Sequence, residues 1–149
     1  MPDPYAHIAS ADAALQARLV TVLELRAAEP QQRAMLGAYL SEIQLSDSAI
    51  ALDAGCGTGA VTRVLAELPG IRRVIGIDPS PIFIEKARGL GKGDARLSFE
   101  TGDARALHFP DASFDLVVFH TVLCHVPEPE RALRESVSRA SSGWMASRL

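Results

Sequence analysis

The sequence predicts an α/β fold built on a doubly wound parallel sheet, and three observations carry that prediction. From Ile50 onward, short and nearly continuous apolar runs alternate with helical stretches. The first two runs each end on an aspartate, Asp53 and Asp78. A glycine-rich turn follows the first of them. Strands that are apolar throughout are buried on both faces, as in parallel sheets covered by helices. Right-handed crossovers then place the strands in a doubly wound order. At 149 residues, 48% hydrophobic and 22% charged, the chain has the size of one domain and can bury a core without staples.

In chain order, residues 10–28 set Leu15, Leu19, Val22 and Leu23 at helical spacing. Pro30 suits the first position of a second helix, with Met35, Leu36, Tyr39, Leu40 and Ile43 on one face. Ser46, Asp47 and Ser48 mark a loop, so residues 1–46 read as an N-terminal helical extension, a cap, and residues 47–149 as the sheet domain. Ile50-Ala51-Leu52 is the first strand. A helix over 59–68 follows and stops at Pro69-Gly70. Val74–Ile77 is the second strand, and Ser80 with Pro81 offers an N-cap and first position for a helix running to about Leu90. Leu97–Glu100 and Leu116–Phe119 are the third and fourth strands, the latter preceded by the turn Pro110-Asp111. A last helix is expected from near Glu128 to about Val137.

Composition excludes several function classes. Fifteen Lys and Arg against eighteen Asp and Glu give a net charge of −3, with no basic field to attract nucleic acid; the densest basic pair is Arg72–Arg73. Only 5% of residues are aromatic, too few for a base-stacking platform. No apolar run reaches the roughly 18 residues of a membrane span, and the start, MPDPYAHIASADAALQ, lacks the pattern of a secretory signal. Cys56 and Cys124 frame neither a disulfide scaffold nor a zinc cluster, and read as reduced thiols of a cytoplasmic protein. The expected partner is a small molecule.

The segment LDAGCGTGA places Gly55, Gly57 and Gly59 between a strand and a helix. Glycines allow a sharp turn and close approach of a ligand, and a helix start offers N–H groups. Gly55-x-Gly57-x-x-Ala60 also fits the dinucleotide fingerprint, so the loop alone does not decide the ligand. Asp53, two residues upstream, would repel a pyrophosphate and suit a cationic ligand; its alternative role is to accept from loop N–H groups. Asp78 at the end of the next strand can accept from ribose hydroxyls. Asp103, in Gly102-Asp103-Ala104 after the third strand, can accept from an adenine amino group; its alternative is plain surface solvation.

Taken together, LDAGCGTG, VIGIDPS, GDARALHFPDASFDLVV and FHTVLCHV resemble the successive motifs of class I S-adenosylmethionine-dependent methyltransferases, in family order over roughly residues 48–135. The resemblance implies a Rossmann-like fold, S-adenosyl-L-methionine as cofactor, and methyl transfer to a small-molecule acceptor. It places the methionine half at Asp53, Gly55 and Gly57, the ribose at Asp78 and the adenine at Asp103 and Ala104, with Pro79 and Gly102 also in the cofactor site and Cys56 most simply a small residue beside the cofactor. It puts His120, just past the fourth strand, near the methionine part and the acceptor. A sulfonium and an ammonium without phosphate agree with the charge of the loop.

Methyl transfer needs in-line positioning, and a base only where the acceptor must lose a proton. His120 and His125 are the candidate bases; their alternative is pocket shape and loop hydrogen bonds. No metal is expected from His120, Cys124 and His125, since one short segment rarely completes a site. Ser113 lacks a nucleophile elbow, and His7 and His108 carry no motif. A nicotinamide reductase of the short-chain type would need a tyrosine after the loop, yet Tyr5 and Tyr39 both precede it.

The family pattern would continue past the fourth strand with a glycine turn and three more strands, whereas ESVSRASSGWMASRL reads as neither turn nor strand. Read one base later, codons for Arg139 to Ala146 can spell VLRPGGW, a family-like turn, so a frameshift near Ser136 is expected. On that expectation the methyltransferase domain is incomplete and C-terminally truncated, its sheet cut to about four strands in the order 3-2-1-4 instead of seven. Its fourth strand is then an open edge, offering a homodimer contact. The alternative function is a non-catalytic cofactor-binding remnant or a dimerising module.

Overall fold

A computed structural model describes residues 3, 5, 7–141 and 145–148, the last four by backbone alone. After a 3-10 turn at Ile8–Ser10 come helices α1 (Ala13–Ala28) and α2 (Pro30–Leu40), then β1 (Ala49–Ala54), α3 (Ala60–Ala66), β2 (Ile71–Asp78), α4 (Pro81–Leu90), β3 (Leu97–Thr101), β4 (Leu116–His120), α5 (Pro129–Arg139) and β5 (Met145–Arg148). Asp12 caps α1 by accepting from the Leu15 N–H at 2.8 Å, and Glu29 caps α2 by accepting from Gln32, with Pro30 at the first position as the sequence predicts.

The sheet is parallel, in the order β3-β2-β1-β4-β5. The four expected strands therefore lie in the expected order. The expectation that β4 forms the open edge is corrected: β5 pairs along it, Val117 beside Met145 through His120 beside Arg148. The expectation that the tail holds no fifth strand is corrected with it, since Met145–Arg148 finds its hydrogen-bond partners along β4; residues 142–144 fall outside the described residues.

Alternation along each strand divides the core into two layers. Ala51, Val74, Leu116 and Val118 face Leu36 and Leu40 of α2 and Leu65 of α3. Leu52, Ile75, Ile77, Val117 and Phe119 face Phe114, Leu123 and Ala132 on the other side. Asp53 pairs with Gly76 on one side and Val118 on the other, which puts its carboxylate at the centre of the sheet. Leu19 of α1, with Ile8 of the preceding 3-10 turn, packs on Phe83 of α4. Val22, expected on the buried face, is 42% exposed, because α1 lays only a narrow stripe on its neighbours. The carboxylate of Asp115 accepts from the Ile50 N–H at 2.9 Å, fastening the entry of β4 to that of β1.

Candidate active site

All strands run the same way, so their carboxyl ends share one rim of the sheet, where ligands of such folds bind. There the chain turns through Gly55, Gly57 and Gly59, whose φ angles are +79°, +54° and +79°. The N–H groups of Gly55 and Cys56 both donate to Ile77 O, at 2.8 and 2.9 Å, tying the loop to the end of β2. A Cβ at Gly55 would lie 2.5 Å from Val122 Cγ1. The first glycine thus serves both the left-handed turn and the close approach of the segment after β4.

Asp53 is 1% exposed and accepts from Thr62 Oγ1 at 2.7 Å. Burial, with the nearby Asp78 carboxylate, pushes its pKa up to about 7, against the opposing bond from Thr62. Asp78 accepts from the Gly57 N–H and the Ser80 N–H, each at 2.9 Å, and burial pushes it up to about 6 despite both bonds. Satisfying a loop N–H, the alternative role weighed for Asp53, therefore belongs to Asp78. Burial, with both acids nearby, also pushes the Cys56 thiol up.

Asp103 faces the same space but is bound by Arg105, whose Nη2 donates at 2.7 Å and whose backbone N–H donates at 2.8 Å. These bonds hold its carboxyl below the usual range. An adenine amino group would share this carboxylate with Arg105. The Gly102 N–H donates to Asp78 O at 3.1 Å, joining the third motif to the second.

His120 ends β4 with Nδ1 3.2 Å from the Tyr39 hydroxyl of α2, the rings stacked at 18°. Thr121 follows at φ +55°, a strained turn for a β-branched residue. His125 Nδ1 lies 2.7 Å from Asp3 Oδ2, and the ring of Tyr5 packs 4.9 Å from the imidazole. One cleft of about 1060 Å³ is lined by all the candidate cofactor and base residues, Asp53, Gly55, Cys56, Gly57, Asp78, Pro79, Gly102, Asp103, Ala104, His120 and His125, but not by Gly59 or Cys124.

Several contributors escaped sequence reasoning. Ser80, foreseen only as the cap of α4, donates its buried hydroxyl to Gln16 Oε1 at 2.6 Å. Glu24 accepts from Thr58 Oγ1 in the glycine loop and pairs with Arg63 at 3.2 Å. Helix α1 thus ties down the loops that follow β1 and β2. A signal existed: Gln16, Leu19, Val20, Leu23 and Glu24 occupy one helical face, polar at both ends and apolar between. Among the described residues, no group of three or more His, Cys, Asp or Glu is arranged for a metal ion, and no helix is long and apolar enough to cross a membrane.

A family model described as a methyltransferase domain matches residues 52–143. The chain is 36% identical over 95 residues to ajmaline N-methyltransferase of Rauvolfia serpentina, covering 62% of this chain and 32% of that one. It is 42% identical over 77 residues to 2-methyl-6-phytyl-1,4-hydroquinone methyltransferase of Synechocystis, covering 52% and 24%. A complex between the Haloferax volcanii Trm112 methyltransferase activator and a methyltransferase matches with a TM-score of 0.75 and 28% identity, over 90% of this chain and 56% of that one. The chain spans about a third of the length of the ajmaline enzyme, and less of the Synechocystis one.

Proposed function

Because this chain belongs to the methyltransferase domain family, we propose that its cleft binds S-adenosylmethionine and that the protein transfers the methyl group to a small-molecule acceptor. The observation that carries this reading is the pair of buried carboxylates, Asp53 and Asp78, at adjacent strand ends beside a glycine loop without a basic side chain. A pyrophosphate would meet like charge there. A ligand bearing a sulfonium and an ammonium would restore the charged form of both acids, whose pKa values burial has raised. The donor set therefore fits such a cofactor.

When bound, S-adenosylmethionine supplies an activated methyl group on a sulfonium. The chain's part is to hold and orient. Gly55 and Gly57 keep the backbone clear for close approach, and Asp53 accepts from the ammonium. Asp78 accepts from the ribose hydroxyls through lone pairs beyond those used by Gly57 and Ser80. Gly102, Asp103 and Ala104 border the adenine, with Cys56 and Pro79 as small walls. His120 and His125 stand as the groups able to take a proton. Residues 1–46 act as the helical cap over the cofactor-binding part, 47–149, and close the acceptor side. Free thiols at Cys56 and Cys124 support a cytoplasmic setting. Self-association along the sheet's outer edge would fall on β5.

Calorimetric titration with S-adenosylmethionine, its demethylated product and NAD tests the reading. Binding of both adenosyl ligands without an NAD signal is expected, and binding of NAD alone overturns it.

A further inference from the structure

We propose that Asp3 is a positioning residue that fixes the tautomer of His125 and so makes its Nε2 the proton acceptor of the cleft. This rests on the methyl-transfer reading and narrows the substrate to acceptors whose reacting oxygen or nitrogen carries a proton. Asp3 and His125 stand 122 positions apart in sequence, yet Oδ2 and Nδ1 meet at 2.7 Å. An ionised carboxylate only accepts, so the ring proton sits on Nδ1 and the lone pair on Nε2. Two further contacts hold the ring in place. Tyr5 packs against it at 4.9 Å, and the His125 backbone N–H donates to Val122 O at 2.8 Å, closing the turn that carries the residue. The same turn presses Val122 against Gly55, so the imidazole is keyed to the cofactor loop. In the step, the acceptor's O–H or N–H bond breaks and an Nε2–H bond forms. The electron pair stays on the acceptor atom, and the Asp3 carboxylate offsets the imidazolium charge.

The test uses the full chain without cofactor. Long-range ¹H–¹⁵N spectra, recorded where the imidazole is neutral, should show His125 with its proton on Nδ1. Asp3→Ala should move that proton to Nε2, and Asp3→Glu should restore the wild-type pattern. Diethyl pyrocarbonate should modify His125 at Nε2 in the wild type, with exposed His7 as the internal standard. A wild-type proton on Nε2, a tautomer indifferent to Asp3→Ala, or a His125 unmodified when His7 reacts would each overturn the proposal. Affinity for the demethylated cofactor product should be equal in wild type and Asp3→Ala. Loss of that binding in both chains would defeat the methyl-transfer reading while leaving the tautomer result to stand on its own.

Discussion

Replacing Asp53 with asparagine should stabilise the ligand-free protein near pH 8 and weaken its hold on a cationic ligand. The folded pKa of Asp53 is about 7, against an ordinary 3.8. Between those values the folded chain keeps a proton that the unfolded chain has released, so stability falls as pH rises through the interval. At about 1.4 kcal/mol per pKa unit, the shift amounts to about 4 kcal/mol once pH exceeds 7. Asp78, raised to about 6, adds a loss of about 3 kcal/mol in the same direction. In asparagine the charge is gone while Thr62 can still donate to the side-chain oxygen. For a chain of this size, roughly 2–4 °C per kcal/mol sets an upper bound of roughly 8–16 °C on the gain in melting temperature at pH 8. Calorimetric melting of both chains between pH 5 and 8.5 checks this. The wild-type temperature should fall with pH more steeply than that of the variant, and the gap between the curves should narrow towards pH 5, where about 2 kcal/mol of it remains. Affinity for the demethylated cofactor product should drop about 10–100-fold in Asp53→Asn, the worth of one charge-assisted hydrogen bond. A wild-type melting temperature that climbs from pH 5 to 8, or parallel curves for the two chains, would refute the account of Asp53 as a destabilised carboxylate kept for a cation.

Gly55→Ala should lose about 1–2 kcal/mol from the left-handed backbone alone, with a further loss from the contact with Val122; adding Val122→Ala should recover only the second part in urea titrations. Gln16→Leu removes the acceptor of the buried Ser80 hydroxyl and should lower stability by about 1–3 kcal/mol in the same measurement. Titration with an aromatic disulfide should find one fast thiol, Cys124, and one slow thiol, Cys56, which is buried with its pKa raised; Cys124→Ser should abolish the fast phase.

The strands and helices were legible because each is long or apolar enough to impose its own period. Ser80 and Pro81 at the start of α4 stand where local chemistry alone would put them. The strand β5 was not, since Met145–Arg148 is four residues of mixed polarity whose support is a partner strand far back in the chain. The candidate cofactor residues could be named because strand ends in a parallel sheet converge by topology. Which acid serves which donor could not. That depends on Asp53 facing Thr62 and Asp78 facing Gly57, a matter of side-chain direction rather than position. The ties from Gln16 to Ser80 and from Asp3 to His125 cross long stretches of chain, and no periodicity reports them.

The two anchors of α1 bear on how this protein can be re-engineered. Gln16 answers Ser80 and Glu24 answers Thr58, so the opening helix and the loops after β1 and β2 are correlated parts. A chimera that borrows its first forty residues from another source would strand a hydroxyl on each loop unless those four positions travel as a matched set. The segment between β4 and α5 touches none of those anchors, but it carries Val122 and His125, so its variation has to spare both.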